Sequence, residues 1–370
     1  MEFTANKNEF KTALEKVNQV CRKSAVASTT CVKLSLSNSV LELTGYDLET
    51  GVTTHIDVDT DFSDGNLYEY LAECSKLLSI VSKQTGDEVK IITDEKGSIM
   101  TIKCGRSSCK ISVLPASDYP NIPEFEQKDK IPIKSDVLAN MISQTIFAVA
   151  VNDNKPVLTG ECFTFGSKKL EIAAVDGYRL AIRTEAVDSD YKGRFVVKSD
   201  ALRAMLKLAK DSKDVNIIPC KKHAVFDFGE TSLFCRLLDG DFIDYARTVP
   251  KTSVTETTVE IKPLIEALER FGLLVNDKNK AALICDIQKG TIAMELKSAL
   301  GEMSDIVLNT DFFGEDVHIG FSVNFLTDAL KSAETDKVKL VFNGGVSPVI
   351  IKPLSGDSFT FLVLPKRLKS

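Results

Sequence analysis

Nine cysteines, three histidines and a few closely spaced acidic pairs are the residues of this 370-residue chain that could do chemistry. The cysteines, at positions 21, 31, 74, 104, 109, 162, 220, 235 and 285, are odd in number, scattered, and mostly set in apolar alternation, as Cys285 is in Leu283-Ile284-Cys285-Asp286-Ile287. That pattern predicts reduced, buried thiols and no disulfide framework. The nearest thing to a metal-ligand pair is Cys104-x4-Cys109, without a histidine close by; zinc needs three or four convergent ligands, so no metal is expected. His55 and His318 lie in alternating stretches, and His223 follows Lys221-Lys222 in an expected turn. Each reads as structural or solvated. Asp59/Asp61 and Asp239/Asp241 adjoin turn residues, where carboxylates are ordinarily hydrated. Residues 160–168 lack the order of a P-loop, and GxGxxG, GxSxG, HExxH and EF-hand patterns are absent. The expectation is a protein that is no enzyme and carries no cofactor.

The elements that would position any site repeat along the chain. Amphipathic helical patterns cover 10–21 (Leu14, Val17, Val20 and Cys21 on one stripe), 137–149 and 264–274, and Lys7, Lys134 and Lys262 precede them at intervals of 127 and 128 residues. A second helical pattern follows in each third, at 67–81, 200–209 and 324–333, the last two opened by Ser199 and Ser322 as expected N-caps. Between them stand period-2 hairpins: Val32 to Leu36 turning at Asn38-Ser39 into Leu41 to Leu43, Phe163 to Phe165 turning at Gly166-Ser167 into Leu170 to Ile172, and Leu283 to Cys285 turning near Lys289-Gly290 into Ile292 to Met294. Further alternating pairs come after each second helix. The fold class is therefore α+β, with three similar domains of two helices and an antiparallel sheet. Proline and charge clusters set their limits at 1–125, 126–252 and 253–370. Three such units in series predict an elongated or curved body whose open sheet edges favour end-to-end association.

Charge separates by element. The chain has 46 basic and 52 acidic residues, net −6, a figure that by itself argues against a simple basic nucleic-acid binder. Yet residues 7–23 carry +3, residues 198–213 carry +3, and the remaining four helical segments are near neutral, so the helices hold about +5 and everything else about −11. Arg203, Lys207 and Lys210 stand at i, i+4 and i+7, one basic stripe suited to a nucleic-acid backbone. No secretory leader and no apolar run of about 18 residues is present, so a cytoplasmic protein without membrane attachment is expected.

Several segments resemble the bacterial DNA polymerase III beta subunit, the replicative sliding clamp. They are Leu41-Glu42-Leu43-Thr44-Gly45-Tyr46-Asp47-Leu48-Glu49, Leu114-Pro115-Ala116-Ser117-Asp118-Tyr119-Pro120, Ala174-Val175-Asp176-Gly177-Tyr178-Arg179-Leu180-Ala181, Leu238-Asp239-Gly240-Asp241-Phe242-Ile243-Asp244-Tyr245-Ala246-Arg247 and Leu362-Val363-Leu364-Pro365-Lys366-Arg367-Leu368. They occur in all three thirds and in family order. The resemblance implies the DNA clamp fold, closed as a head-to-tail homodimer into a ring around double-stranded DNA, held without sequence preference. It further implies service to the DNA polymerase III catalytic subunit, the clamp loader and other proteins with clamp-binding motifs. A diverged scaffold that recruits partners without serving the main replicase is the alternative.

Carried over residue by residue, the resemblance implies a partner-peptide groove of Leu158, Val175, Gly177, Tyr178, Arg179, Leu180, Ile243, Arg247, Thr248, Val346, Pro348, Leu362, Val363, Leu364, Pro365, Lys366, Arg367 and Leu368. Apolar walls with a few guanidinium groups suit short peptides with Leu and Phe anchors. In that groove Ile243 replaces a usual proline, Thr248 a usual aliphatic residue and Lys366 a frequent apolar one. The resemblance also implies DNA-facing positions at Arg22, Lys23, Lys76, Asn152, Lys155, Lys198, Arg203, Lys207 and Lys210, and a dimer interface at Ile111, Leu274 and Val275.

Overall fold

A computed structural model describes the chain except for residues 23–25, 62–65, 95, 127–128, 153, 251, 277, 279 and 369–370. Two helices fall in each third: α1 (Lys7–Val17), α2 (Cys74–Ser82), α3 (Ser135–Thr145), α4 (Ser199–Leu208), α5 (Ile261–Gly272) and α6 (Val323–Lys331). The described strands form sheets of four, nine and twelve members, with antiparallel neighbours. The three expected hairpins are present. Strand Cys31–Ser37 turns through Asn38 (φ 51°) into Val40–Tyr46, and Gly160–Gly166 turns through Ser167 and Lys168, both left-handed at φ 52° and 56°, into Lys169–Val175. Two left-handed central residues match the right-handed twist of the flanking strands.

Helix limits shift where local rules compete. The helical pattern over 67–81 is corrected in its first half: Leu67–Glu73 is a strand, and α2 begins only at Cys74. Leu67-Tyr68-Glu69-Tyr70-Leu71 alternates as well as it spirals, and a full-length partner, from Ser37↔Leu67 to Cys31↔Glu73, decides in favour of the sheet. Ser322 occupies the N-cap position of α6 without a side-chain cap bond, and Ser199 is the first residue of α4. At the start of α1, Asn6 caps through its Oδ1, which accepts from the backbone of Asn8 at 2.9 Å and Glu9 at 3.2 Å.

The chain divides into two compact units, one of residues 1–136 and 200–237, the other of residues 137–199 and 238–370. In the first unit, strands Ile131–Lys134, Asp214–Pro219, His223–Asp227 and Thr231–Arg236 of the middle third continue the sheet of the first third, Thr231–Arg236 pairing with Thr50–Asp57. In the second unit, Arg179–Ala186 pairs with Phe359–Val363 and so joins the other half of the middle third to the last third. Each unit has a buried apolar core under its helices: α1 buries Phe10, Ala13, Leu14 and Val17, and α5 buries Leu264, Ala267, Leu268 and Phe271.

The seam in the first unit depends on one glycine. Gly51 stands opposite Phe234, whose ring contacts Tyr46 and Phe125 at centroid distances of 5.4 and 5.1 Å. A Cβ on Gly51 would lie 2.0 Å from that ring. Gly51→Ala is therefore expected to displace Phe234 and lower stability by about 1–3 kcal/mol. Denaturant unfolding measures this, and an unchanged midpoint would show that the ring moves aside freely. All nine cysteines are free thiols. Among the described residues no group of three His, Cys, Asp or Glu side chains is placed to hold a metal ion, and no helix is long and apolar enough to cross a membrane.

Candidate functional site

Both walls and the floor of the candidate site lie in the second unit. The first wall is the turn between strands Lys169–Val175 and Arg179–Ala186. Asp176 Oδ1 accepts from the backbone N–H of Tyr178 at 2.9 Å and of Arg179 at 2.8 Å, and Gly177 takes the left-handed φ of 85° between them. An aspartate followed by glycine is the local chemistry that makes such a turn. The turn presents Tyr178 outward, 61% exposed, and directs Arg179 inward, its side chain 10% exposed. The guanidinium pairs with Asp176 at 3.0 Å and with Asp328 of α6 at 2.7 Å, and its carbon sits 4.4 Å from the ring centroid of Phe325. A largely buried guanidinium is tolerated when its forked donors and its flat face are all matched in this way. The turn recurs 129 residues earlier. Asp47 Oδ1 accepts from Glu49 and Thr50 at 3.0 and 2.7 Å, with Leu48 at φ 80° in the glycine's place, but no arginine follows.

The second wall is the segment from Leu238 to Thr248. Arg194 Nε donates to Cys162 Sγ at 2.9 Å, a second guanidinium nitrogen donates to the Ile243 carbonyl at 3.4 Å, and the guanidinium lies near the Phe242 and Tyr245 rings at 5.6 and 5.9 Å. The Tyr245 hydroxyl donates to Glu171, which ties the segment to the sheet. Burial keeps the Cys162 thiol protonated despite the arginine beside it, so this contact is structural and supplies no nucleophile. Leu158, Val175, Leu180, Ile243 and Leu362 meet in one apolar cluster between these walls, with Val175 and Ile243 partly open.

The tail completes the site. Beyond strand Phe359–Val363 the chain continues extended, Leu364 N–H donating to the Tyr178 carbonyl at 2.9 Å and Lys366 N–H to the Gly320 carbonyl at 2.7 Å. Gly320 leaves room for this approach, since a Cβ there would fall 2.6 Å from Leu368 and 2.7 Å from the Lys366 carbonyl oxygen. A cavity of about 550 Å³ opens beside the tail. Val275, Ala281, Val323, Phe325, Leu364 and Pro365 form its apolar lining, Tyr178 stands at its rim, and Lys280, Lys366 and Arg367 bring cations.

Three family models match the chain in succession: the N-terminal domain of the DNA polymerase III beta subunit over residues 1–123, its central domain over 132–244 and its C-terminal domain over 246–367. The chain belongs to the DNA polymerase III beta subunit family. A beta sliding clamp of Staphylococcus epidermidis is 28% identical over 379 aligned residues, covering 99% of both chains. The crystal structure of a putative DNA polymerase III beta subunit from Eubacterium rectale superposes with a TM-score of 0.93 at 27% identity, covering 99% of each chain. The subunit from Pseudomonas aeruginosa superposes with a TM-score of 0.92 at 25% identity over the full length of both. The fold is accordingly that of a sliding clamp, three domains of helix plus antiparallel sheet, and the family role is that of a non-catalytic DNA polymerase clamp.

For this clamp the structure brings most of the expected groove residues together but not all. Tyr178 and the residues Leu364, Pro365, Lys366 and Arg367 line the cavity, whereas Val346, 91% exposed, and Pro348 lie in a turn that does not. Arg247 is exposed and paired with Asp244 at 3.1 Å, Thr248 caps its own turn by donating to the Tyr245 carbonyl at 2.7 Å, Val363 is fully buried, and Leu368 packs on Gly320. Sequence reasoning did not single out Phe325, Val275 as a cavity residue, or Lys280. Phe325 carried only a helical periodicity, and nothing local links positions 275–281 to the tail.

Among the basic positions, Arg22, Arg203, Lys207 and Lys210 are all exposed in the first unit. Arg22 pairs with Asp200 at 3.3 Å and Lys207 donates to Gln19 at 2.7 Å, so the end of α1 and the length of α4 present their cations side by side. Alanine and leucine at 201, 202, 204 and 208 fill the opposite face of α4. Lys76 is exposed on α2; Asn152 and Lys155 are exposed and Lys198 half-buried in the second unit. Lys23 lies outside the described residues. Of the expected interface positions, Ile111 is buried on strand Ser107–Ser112, and Leu274 and Val275 are partly buried against the core. In the second unit Leu273, Ile306 and Leu308 are exposed apolar residues.

Proposed function

We propose that two copies of this chain close head to tail into a ring of six similar domains, with repeat limits at 1–125, 126–252 and 253–370, that encircles double-stranded DNA in the cytoplasm. The ring tethers the DNA polymerase III catalytic subunit, is placed on DNA by a clamp loader, and serves other proteins bearing clamp-binding motifs. Full-length membership of the clamp family is the observation that carries this reading. Two further features support it. Among the described residues, strand Ser107–Ser112 is the last member of its four-stranded sheet and residues 301–308 are paired on one side only, by Thr291–Ser298, so each unit offers an open edge to a second copy. The basic face of α1 and α4 suits phosphate, with Lys23, Lys76, Asn152, Lys155 and Lys198 as additional DNA-facing positions. Contacts of this kind are sequence-independent and salt-sensitive, as sliding requires.

The groove built on Arg179, Leu180, Ile243 and the tail takes partner peptides by their Leu and Phe anchors. A topological link is tested by loading the protein on nicked circular DNA and then cutting the circle. Retention on the circle with release after linearisation is the expected result. Equal retention on both would mean ordinary binding and would overturn the ring.

A further inference from the structure

Asn343 is the one asparagine of this chain that glycine follows. It opens the loop between strands Lys337–Phe342 and Val349–Lys352, which pair from Lys339↔Lys352 to Val341↔Ile350. The loop is held at its ends, where Phe342 and Val349 are buried, and at Gly345, where a Cβ would fall 2.2 Å from the His318 carbonyl oxygen. Gly344 is open by comparison: it takes φ 89°, and a Cβ built on it would meet nothing within 4 Å.

Among the described residues, the Gly344 N–H donates no hydrogen bond, and the side-chain nitrogen of Asn343 is shut away from solvent without a partner. A buried amide donor left unpaired is a cost that the fold carries. Asn309 is placed differently. Its side-chain nitrogen donates to the Gln288 and Thr291 carbonyls at 2.9 and 3.1 Å, and a β-branched threonine follows it. At 343 and 344, by contrast, an attacking backbone nitrogen and a leaving amide stand in neighbouring residues, neither tied by a hydrogen bond, with no side chain to shield the attack.

We infer that Asn343-Gly344 is a site of spontaneous self-modification, in which the backbone nitrogen of Gly344 attacks Cγ of Asn343. The new N–Cγ bond closes a cyclic imide and the Cγ–Nδ2 bond breaks. The amide leaves as ammonia with an added proton, balancing the proton that the Gly344 nitrogen gives up to base. Water then opens the imide at one carbonyl or the other, leaving aspartate or isoaspartate at position 343. The loop thereby gains a carboxylate, and in the isoaspartate form the kind of residue that a protein carboxyl methyltransferase recognises.

The test ages the full chain in mildly acidic and mildly alkaline buffer and follows the proteolytic fragment containing residue 343 by mass spectrometry. That fragment is expected to gain about one mass unit ahead of every other asparagine-bearing fragment. Its rate should rise about tenfold per pH unit, since the attacking nitrogen must first lose its proton. An isoaspartate-specific carboxyl methyltransferase with a labelled methyl donor should label the aged wild type and leave aged N343Q at its unaged background, because the longer glutamine closes its ring far more slowly. An unchanged fragment in the folded chain overturns the inference, and the urea-unfolded chain aged beside it tells whether the fold or the local sequence prevents the reaction. A rate that ignores pH, faster change at another asparagine, or equal labelling of N343Q overturns it as well.

Discussion

Removal of residues 364–370 is expected to abolish binding of a Leu- and Phe-anchored peptide, weakening it by about 100-fold or more, while leaving the chain folded. The deletion takes Leu364 and Pro365 from the apolar lining and Lys366 and Arg367 from its cationic part. It stops short of Leu362 and Val363, which are buried and paired with Leu180 and Arg179 in the twelve-stranded sheet. Among the described residues, what the fold itself loses is two backbone hydrogen bonds, to Tyr178 and Gly320, the bond from the Lys366 ammonium to the Lys280 carbonyl, and the packing of Leu368 on Gly320. Those contacts together are worth about 1–3 kcal/mol. Anisotropy titration beside a thermal melt separates the two effects. Unchanged peptide binding would refute the groove, and a collapsed melt would show that the tail is structural first.

Arg179→Ala is expected to damage both stability and binding. The side chain links the 176–178 turn to α6, and its loss leaves Asp176, with a side chain 11% exposed, without its cation. Asp328 is 48% exposed, so water answers for most of its share. A cost of about 2–4 kcal/mol follows, chiefly from the stranded Asp176 and the bared face of Phe325. Tyr178 and Phe325, whose rings lie 5.7 Å apart at the cavity, then lose the group that fixes their spacing, and peptide affinity should fall at least tenfold. Arg179→Lys should recover part of the stability, because an ammonium cannot reach both carboxylates as a fork while covering the ring. Denaturant unfolding of the three proteins, with peptide titration of each, checks the order wild type, Lys, Ala. Coincident unfolding curves would show that the guanidinium is solvated and incidental.

Much of this was legible in the chain itself, for reasons that can be named. The hairpins at 31–46 and 160–175 were readable because alternation and a turn signal are contained within a dozen residues. Residues 67–73 were not, since Leu67-Tyr68-Glu69-Tyr70-Leu71 satisfies two periods and only its partner strand at 31–37 selects one. The division into compact units was hidden as well: the pairings Thr231–Arg236 with Thr50–Asp57 and Arg179–Ala186 with Phe359–Val363 join segments more than 170 residues apart.

The sequence by itself determined the threefold repeat of helices and antiparallel strands, the gathering of positive charge on two helical segments, and the turn chemistry of Asp176-Gly177, because each depends on neighbours along the chain. Only the tertiary structure decided that Arg179 reaches Asp328, 149 residues away, that Phe325 and Val275 share a cavity with the tail, and that Lys366 meets Lys280 there. Those placements arise from long-range strand pairing and side-chain packing, which bring together residues whose local patterns carry no record of one another.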